Sequence, residues 1–140
     1  MNQTQSSLNH FGLLQIRAVK KVVMATNPIE DLLPLVEKPS RYLGSEINIV
    51  KKDLQRVALR VALVFPDLYE IGTSHFGLQI LYHILNDHPD IAAERVFAPD
   101  VDMEDHLRSS DLPLFSLESH APINQFDIIG FSLLYELNFS

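Results

Sequence analysis

The sequence contains no cysteine, and its eleven lysines and arginines are outnumbered by eighteen acidic residues. Without cysteine, this chain's own side chains can build no disulfide frame, thiolate zinc site or iron–sulfur cluster. The shortage of basic residues leaves a formal charge of −7, which argues against the concentrated basic face of a nucleic-acid surface. No apolar run approaches the roughly 20 residues that span a bilayer. The opening stretch MNQTQSSLNHFGLLQIRAVKKVV also lacks the basic, apolar and small-residue order of a secretory signal, so the cytoplasm is the expected location.

What is present is globular. The chain has 140 residues, 46% of them hydrophobic and 21% charged, enough for one domain with a core. Its clearest unit is Val61–Gly72, VALVFPDLYEIG, followed by a helical pattern from Thr73 to Asn86. Val57, Leu59, Val61, Leu63 and Phe65 alternate with polar or small residues, which is strand periodicity. Pro66 and Asp67 end that run. Phe76, Ile80 and Ile84, with Leu81 and Leu85, then recur at helical spacing, giving an apolar stripe capped by Thr73 or Ser74 and stopped by Pro89.

Further on, Glu94–Ala98 reads as a short buried strand. Asp102 is expected to cap a small helix through Leu107, and Leu112–Leu117 to be briefly extended. Asp127–Leu134, DIIGFSLL, reads as a core strand covered on both faces. Strand, helix, strand, helix, strand in that order predicts parallel pairing. The expected fold is therefore α/β, an incomplete doubly wound, Rossmann-like sheet. Before it, Asn27-Pro28 marks a helix start, Pro34 ends that helix, Lys38–Ser40 forms a loop and Gly44 a turn. Ile47 and Ile49 suggest an extra strand or hairpin reversing at Asp53, with Lys51, Lys52, Arg56 and Arg60 on its wet face. The expected boundaries are a poorly structured extension at 1–25, a helix and hairpin at 26–56, and a partial α/β domain at 57–140.

Such sheets take ligands at the carboxyl ends of their strands, which directs attention to Asp67, Tyr69 and Gly72, spaced D-x-Y-x-x-G. Glycine there would let a ligand approach the backbone, and the following helix start favours anionic groups. An ordinary turn, with Asp67 bonding its own backbone, explains the same residues equally well. Ser132 and Leu134, S-x-L, close the last strand beside that loop; core packing is the competing account. No G-x-G-x-x-G, G-x-S-x-G or H-x-x-x-H pattern is present, which disfavours dinucleotide binding, a serine nucleophile and a histidine metal site. Asp100, Asp102, Glu104 and Asp105 read as a helix cap and a solvated face.

Five segments together resemble a known family: EDLLPLVEKPSRYLGSEIN (30–48), ALVFPDLYEIGTSHFGLQILYHILN (62–86), ERVFAPDVDMEDHLR (94–108), PLFSLES (113–119) and FDIIGFSLLYELNFS (126–140). They are similar to large radical S-adenosylmethionine proteins in which a cobalamin-binding-like domain precedes the radical barrel. The resemblance implies that this chain is the front end of such a protein. The iron–sulfur cluster and S-adenosylmethionine would belong to a downstream domain absent here, and that domain would be its partner.

The resemblance also implies a cobalamin-binding type of sheet, with Asp67, Tyr69, Gly72, Ser132 and Leu134 at the corrinoid side. Tyr69 stands where the family's D-x-H-x-x-G loop carries the lower cobalt ligand, and a neutral phenol is a poor substitute for imidazole. Two roles are therefore expected. Either the domain holds a corrinoid and presents it to the barrel, or it is a ligand-free interaction domain that docks on the barrel or a partner. A flavodoxin-like or receiver-like module is a third, poorly supported by the loops. Family members begin near Met24, so residues 1–23 are expected to lie upstream of the natural start.

Overall fold

The computed structural model describes residues 26–133; the expectations for residues 1–25, Met24 included, and for Leu134 fall outside them. Three parallel strands form one sheet: β1 (Leu59–Phe65), β2 (Ile91–Phe97) and β3 (Ile128–Phe131), in the order β2-β1-β3. Leu59 pairs with Ile91 through to Phe65 with Phe97, and Val61 pairs with Ile128 through to Val64 with Phe131. The chain is thus α/β with an incomplete Rossmann-like parallel sheet, as the strand–helix alternation implies. Between the strands lie α-helices at Tyr69–Gly72, Phe76–Asp87 and Val101–Ser109, and a first short helix spans Pro28–Leu32. In chain order these are α1 (Pro28–Leu32), α2 (Tyr69–Gly72), α3 (Phe76–Asp87) and α4 (Val101–Ser109).

Local chemistry sets several boundaries. Asn27 Oδ1 accepts from the Ile29 amide at 3.0 Å, with Pro28 at the first helical position, and α1 gives way to a tighter 3₁₀ turn across Pro34. A second such turn, Pro39–Tyr42, replaces the expected loop. Gly44 adopts φ +54°, and a Cβ there would lie 2.1 Å from the Leu117 carbonyl oxygen. His75, rather than Thr73 or Ser74, caps α3: its Nδ1 accepts from the Leu78 amide at 2.9 Å. The Thr73 and Ser74 hydroxyls instead donate back to the Glu70 carbonyl. Asp100, two residues before the expected Asp102, caps α4. Asp102 is turned to the Met103 amide and the Glu37 amide at 2.7 Å each.

The two faces of the sheet are covered differently. Val61, Leu63 and Phe65 pack with Leu78 and Tyr82 of α3 and with Ala93. On the reverse face, Ala62, Val64 and Val96 meet Ala121 and Phe126 from the irregular stretch before β3. Helix α4 leaves the sheet: Met103 and Leu107 pack with Ile29, Leu32, Val36, Tyr42 and Phe115 in a third cluster. The Phe115–Pro122 bridge and the Leu117 amide bond to the Arg95 carbonyl at 2.8 Å lay the 112–126 stretch along the outer edge of β2.

Further expectations are corrected. First, β3 is not covered on both faces: Ile128 and Ile129 are exposed and Phe131 is 62% exposed. It pairs with β1 on one side and contributes to none of the buried clusters among the described residues, so an apolar run signals capacity for burial rather than burial itself. Second, most of the apolar stripe of α3 faces outward: Phe76 and Ile84 are 72% and 62% exposed, and Ile80 and Leu81 are exposed too, whereas Leu85 packs toward the sheet beside the buried Leu78 and Tyr82. Two apolar ladders of equal spacing run along this helix, and the sheet takes the one that carries Tyr82. Third, residues 43–58 contain turns and no strand. Ile47 is fully exposed, and the Val50 amide donates to the Tyr82 hydroxyl at 2.8 Å instead of to a partner strand. Lys52 is no wet-face residue either: its Nζ donates to the carbonyls of Asn86, His88 and Ile91 at 2.6–2.7 Å, neutralising the C-terminal end of α3.

Candidate functional site

The order β2-β1-β3 makes the gap between β1 and β3 the point where successive connections diverge, with the loop after β1 at its rim. Topology brings Ser132 there, its amide donating to the Val64 carbonyl at 2.9 Å. Asp67 lies just beyond the end of β1. Its Oδ1 accepts from the Leu68 amide at 2.7 Å, and its carbonyl accepts from the Ala98 amide at 3.0 Å. Asp67 therefore closes its own turn and ties the loop to the end of β2.

Gly72 has a packing reason. A Cβ at this position would meet Phe97 Cε1 at 2.3 Å and Phe65 Cδ1 at 3.0 Å, so the side-chain space that a ligand would use is filled by rings. Tyr69 packs edge-on against Phe97, with ring centroids 5.6 Å apart. Its hydroxyl donates to Glu46 Oε1 at 2.5 Å. Burial, with that carboxylate beside it, pushes the phenol up to about 12. Tyr69 is thus directed to the N-terminal extension, on the β2 side of the rim, and not to the gap between β1 and β3.

The extension closes this side of the rim with charge. Arg41, buried, donates from Nε to Glu70 Oε1 at 2.7 Å and from Nη1 to Asp100. Glu70 follows β1 and Asp100 follows β2, so one guanidinium joins both carboxyl-end loops. It holds the Glu70 and Asp100 carboxyls below their ordinary range. Tyr42 adds a hydroxyl that accepts from the Asp100 amide at 3.0 Å. Beneath lies a cavity of about 20 Å³, lined by Arg41, Tyr42, Tyr69, Phe97, Pro99 and Phe115 among others, room for about one water.

Residues that the sequence patterns did not single out carry the densest electrostatics. Arg95, on β2, lies under the Tyr82 ring with its guanidinium carbon 4.8 Å from the centroid. Its Nε and its amide each donate to Glu118 at 2.7 Å. On the opposite face, Glu94 Oε2 accepts from the Ser116 and Ser119 hydroxyls at 2.5 and 2.7 Å. Only the sequence juxtaposition of two charges inside an apolar strand, E-R at 94–95, could have signalled this. Among the described residues no group of three histidine, aspartate or glutamate side chains could hold a metal ion. Among them, too, no helix is long and apolar enough to cross a membrane.

Glu118 makes stability depend on pH. Burial pushes its carboxyl from the ordinary 4.5 up to about 7, against the lowering pull of Arg95. Between those values the folded state holds the extra proton. This group's contribution is therefore fully present at acid pH and is lost as pH rises through 7, by on the order of 3 kcal/mol. Asp127, held down to about 2 by Arg60, shifts the opposite way and titrates below that window. The thermal midpoint of the unsubstituted chain should fall relative to Glu118→Gln between pH 4.5 and 7. Parallel midpoint curves would contradict the assignment.

Residues 77–140 match the family model described as radical SAM proteins, N-terminal. The matched stretch takes in nearly all of α3, together with β2, α4, β3 and Ser132. The Asp67–Gly72 loop and the rim-closing residues Arg41 and Glu46 precede it. In that stretch the chain is similar to the N-terminal part of radical SAM proteins, which agrees with the coarser half of the resemblance seen in the sequence. No curated protein and no solved structure matches.

Proposed function

We propose that this chain is the N-terminal module of a radical SAM protein and acts as an interaction domain that docks on the parent's downstream radical barrel. The parentage is supported by the match over residues 77–140. The role rests on one observation: the carboxyl rim of β1 and β2 is filled by the chain's own Arg41, Tyr42 and Glu46, with Tyr69 bonded to Glu46. In this reading the iron–sulfur cluster and S-adenosylmethionine belong to the barrel, since this chain has no thiolate to offer. The docking faces are the outer side of α3, at Phe76, Ile80 and Ile84, and the uncovered strand β3, at Ile128, Ile129 and Phe131. Exposed apolar surface of this kind is what a partner buries.

The test uses the whole parent chain. Ile84→Lys with Phe131→Lys should increase limited proteolysis between module and barrel severalfold. Cleavage unchanged from the unsubstituted parent would sink the docking role.

A second reading, a corrinoid held over the gap between β1 and β3 and presented to the barrel, is favoured by the strand order, which puts Asp67 and Ser132 at that gap. The residue at the cobalt-ligand position does not fit it, because the Tyr69 phenol is protonated and already bonded within the chain. In this reading Asp67 and Ser132 would supply polar contacts, and cobalt would have no protein ligand from Tyr69.

A further inference from the structure

Glu46 is held in a way that a side chain on an irregular segment does not need for folding alone. Its two oxygens are split between two donors of the sheet domain. Oε1 accepts from the Tyr69 hydroxyl at 2.5 Å, and Oε2 lies 2.8 Å from Arg95 Nη2. Those donors come from α2 and β2, whereas Glu46 comes from the extension before β1. Arg95 is built in: its side chain is 6% exposed, its Nε is taken by Glu118, whose side chain is wholly buried, and its plane lies against the Tyr82 ring. Its Nη2, though close to Glu46, is buried and out of line for a hydrogen bond. The arginine is therefore charge-paired at that end but not geometrically satisfied. A guanidinium edge and a phenol hydroxyl aimed at one carboxylate make a receptor for a carboxylate. Glu46 fills it imperfectly.

We propose that Tyr69 and Arg95 form a carboxylate-binding site, and that Glu46 is its tethered occupant, displaced when a small carboxylate ligand binds. Glu118 stays with Arg95 throughout, so exchanging Glu46 for a ligand carboxylate conserves the charge around the guanidinium. Displacement also loosens residues 45–49, because Glu46 ties them to the sheet domain; Val50 stays bonded to Tyr82, and Arg41, on the preceding 3₁₀ turn, remains bound to Glu70 and Asp100. The site is independent of the parentage argued above and stands or falls by itself.

Acetate is the probe, added to the full chain and followed by NMR at the Arg95 guanidinium and the Tyr69 ring. In Glu46→Ala, acetate should bind saturably and at least ten-fold more tightly than in the unsubstituted chain, where Glu46 competes. Adding Tyr69→Phe to that variant should weaken acetate at least five-fold. Glu46→Gln keeps the side-chain length and an acceptor for Tyr69, so it should bind acetate more weakly than Glu46→Ala. Glu46 is 29% exposed on an irregular segment, so truncating it leaves the core intact. The absence of saturable shifts in Glu46→Ala overturns the proposal. So does equal acetate affinity with and without the Tyr69 hydroxyl, or equal affinity with and without Glu46.

Discussion

Replacing Arg95 by methionine should cost about 3–5 kcal/mol of unfolding free energy at pH 9, the largest loss expected from any single substitution here. Glu118 is wholly buried and takes two hydrogen bonds from Arg95, one from the guanidinium and one from the backbone. Methionine keeps the stem that lies against Tyr82 but leaves the carboxylate without its countercharge. At pH 9, where the Glu118 carboxyl is ionised in the unsubstituted chain, the variant must either bury an uncompensated charge or take up a proton. Urea unfolding followed by circular dichroism measures the loss. The double variant Arg95→Met with Glu118→Leu should recover more than half of it, since removing both partners of a buried pair is far cheaper than removing one. A loss below about 1 kcal/mol for Arg95→Met would mean that the pair is solvated and that this electrostatic account is wrong.

Gly72→Ala carries the second large effect, and its sign is the informative part. Alanine is the better helix former by about 1 kcal/mol, and Gly72 ends α2 in a conformation open to any residue. Against that gain, the new methyl would sit 2.3 and 2.5 Å from two carbons of the Phe97 ring. Phe97 cannot swing away freely because Tyr69 packs edge-on against it. Overpacking of this kind costs about 1–3 kcal/mol, so a net loss is expected, with the thermal midpoint falling by several degrees. Phe97→Leu in the same chain should restore part of the loss. A Gly72→Ala variant as stable as the unsubstituted chain would show that the loop has slack, and would reopen Gly72 as a position kept small for a ligand.

Much of the architecture was legible because it depends on local pattern. Strand periodicity at 57–65 and the Pro66-Asp67 break find β1 and its end, though the strand starts only at Leu59, and Asn27-Pro28 with Pro34 bounds α1. Burial was less legible. The α3 sequence offers two apolar ladders, and no local rule says that the one bearing Leu78 and Tyr82 meets the sheet while Phe76, Ile80 and Ile84 face out. The apolar run of β3 has the composition of a doubly covered strand, yet what covers it is a tertiary matter. The expected strand at Ile47 and Ile49 failed for a related reason: alternation over so few residues is weak, and the Tyr82 hydroxyl takes the Val50 amide that a ladder would have used.

The rim shows the same division. Asp67, Tyr69 and Gly72 were picked out by spacing, and the fold does put them at the carboxyl end of β1. Their partners, however, are Leu68 and Ala98, Glu46, and the Phe97 and Phe65 rings. Arg95 left a trace only as the charged E-R pair inside an apolar strand, while Glu46, Arg41 and Glu118 were invisible because each gains its meaning from residues 23 to 59 positions away. Charges that pair across such distances carry no local signature.

The most direct measurement is spectral titration of the whole parent protein with hydroxocobalamin, followed by desalting. With Tyr69 bonded to Glu46 and the rim filled by the extension, the protein fraction should emerge without corrinoid absorption. A stoichiometric corrinoid spectrum that stays with the protein would contradict the account, because it would show that the gap between β1 and β3, where Asp67 and Ser132 lie, holds the ligand that the interaction reading leaves out.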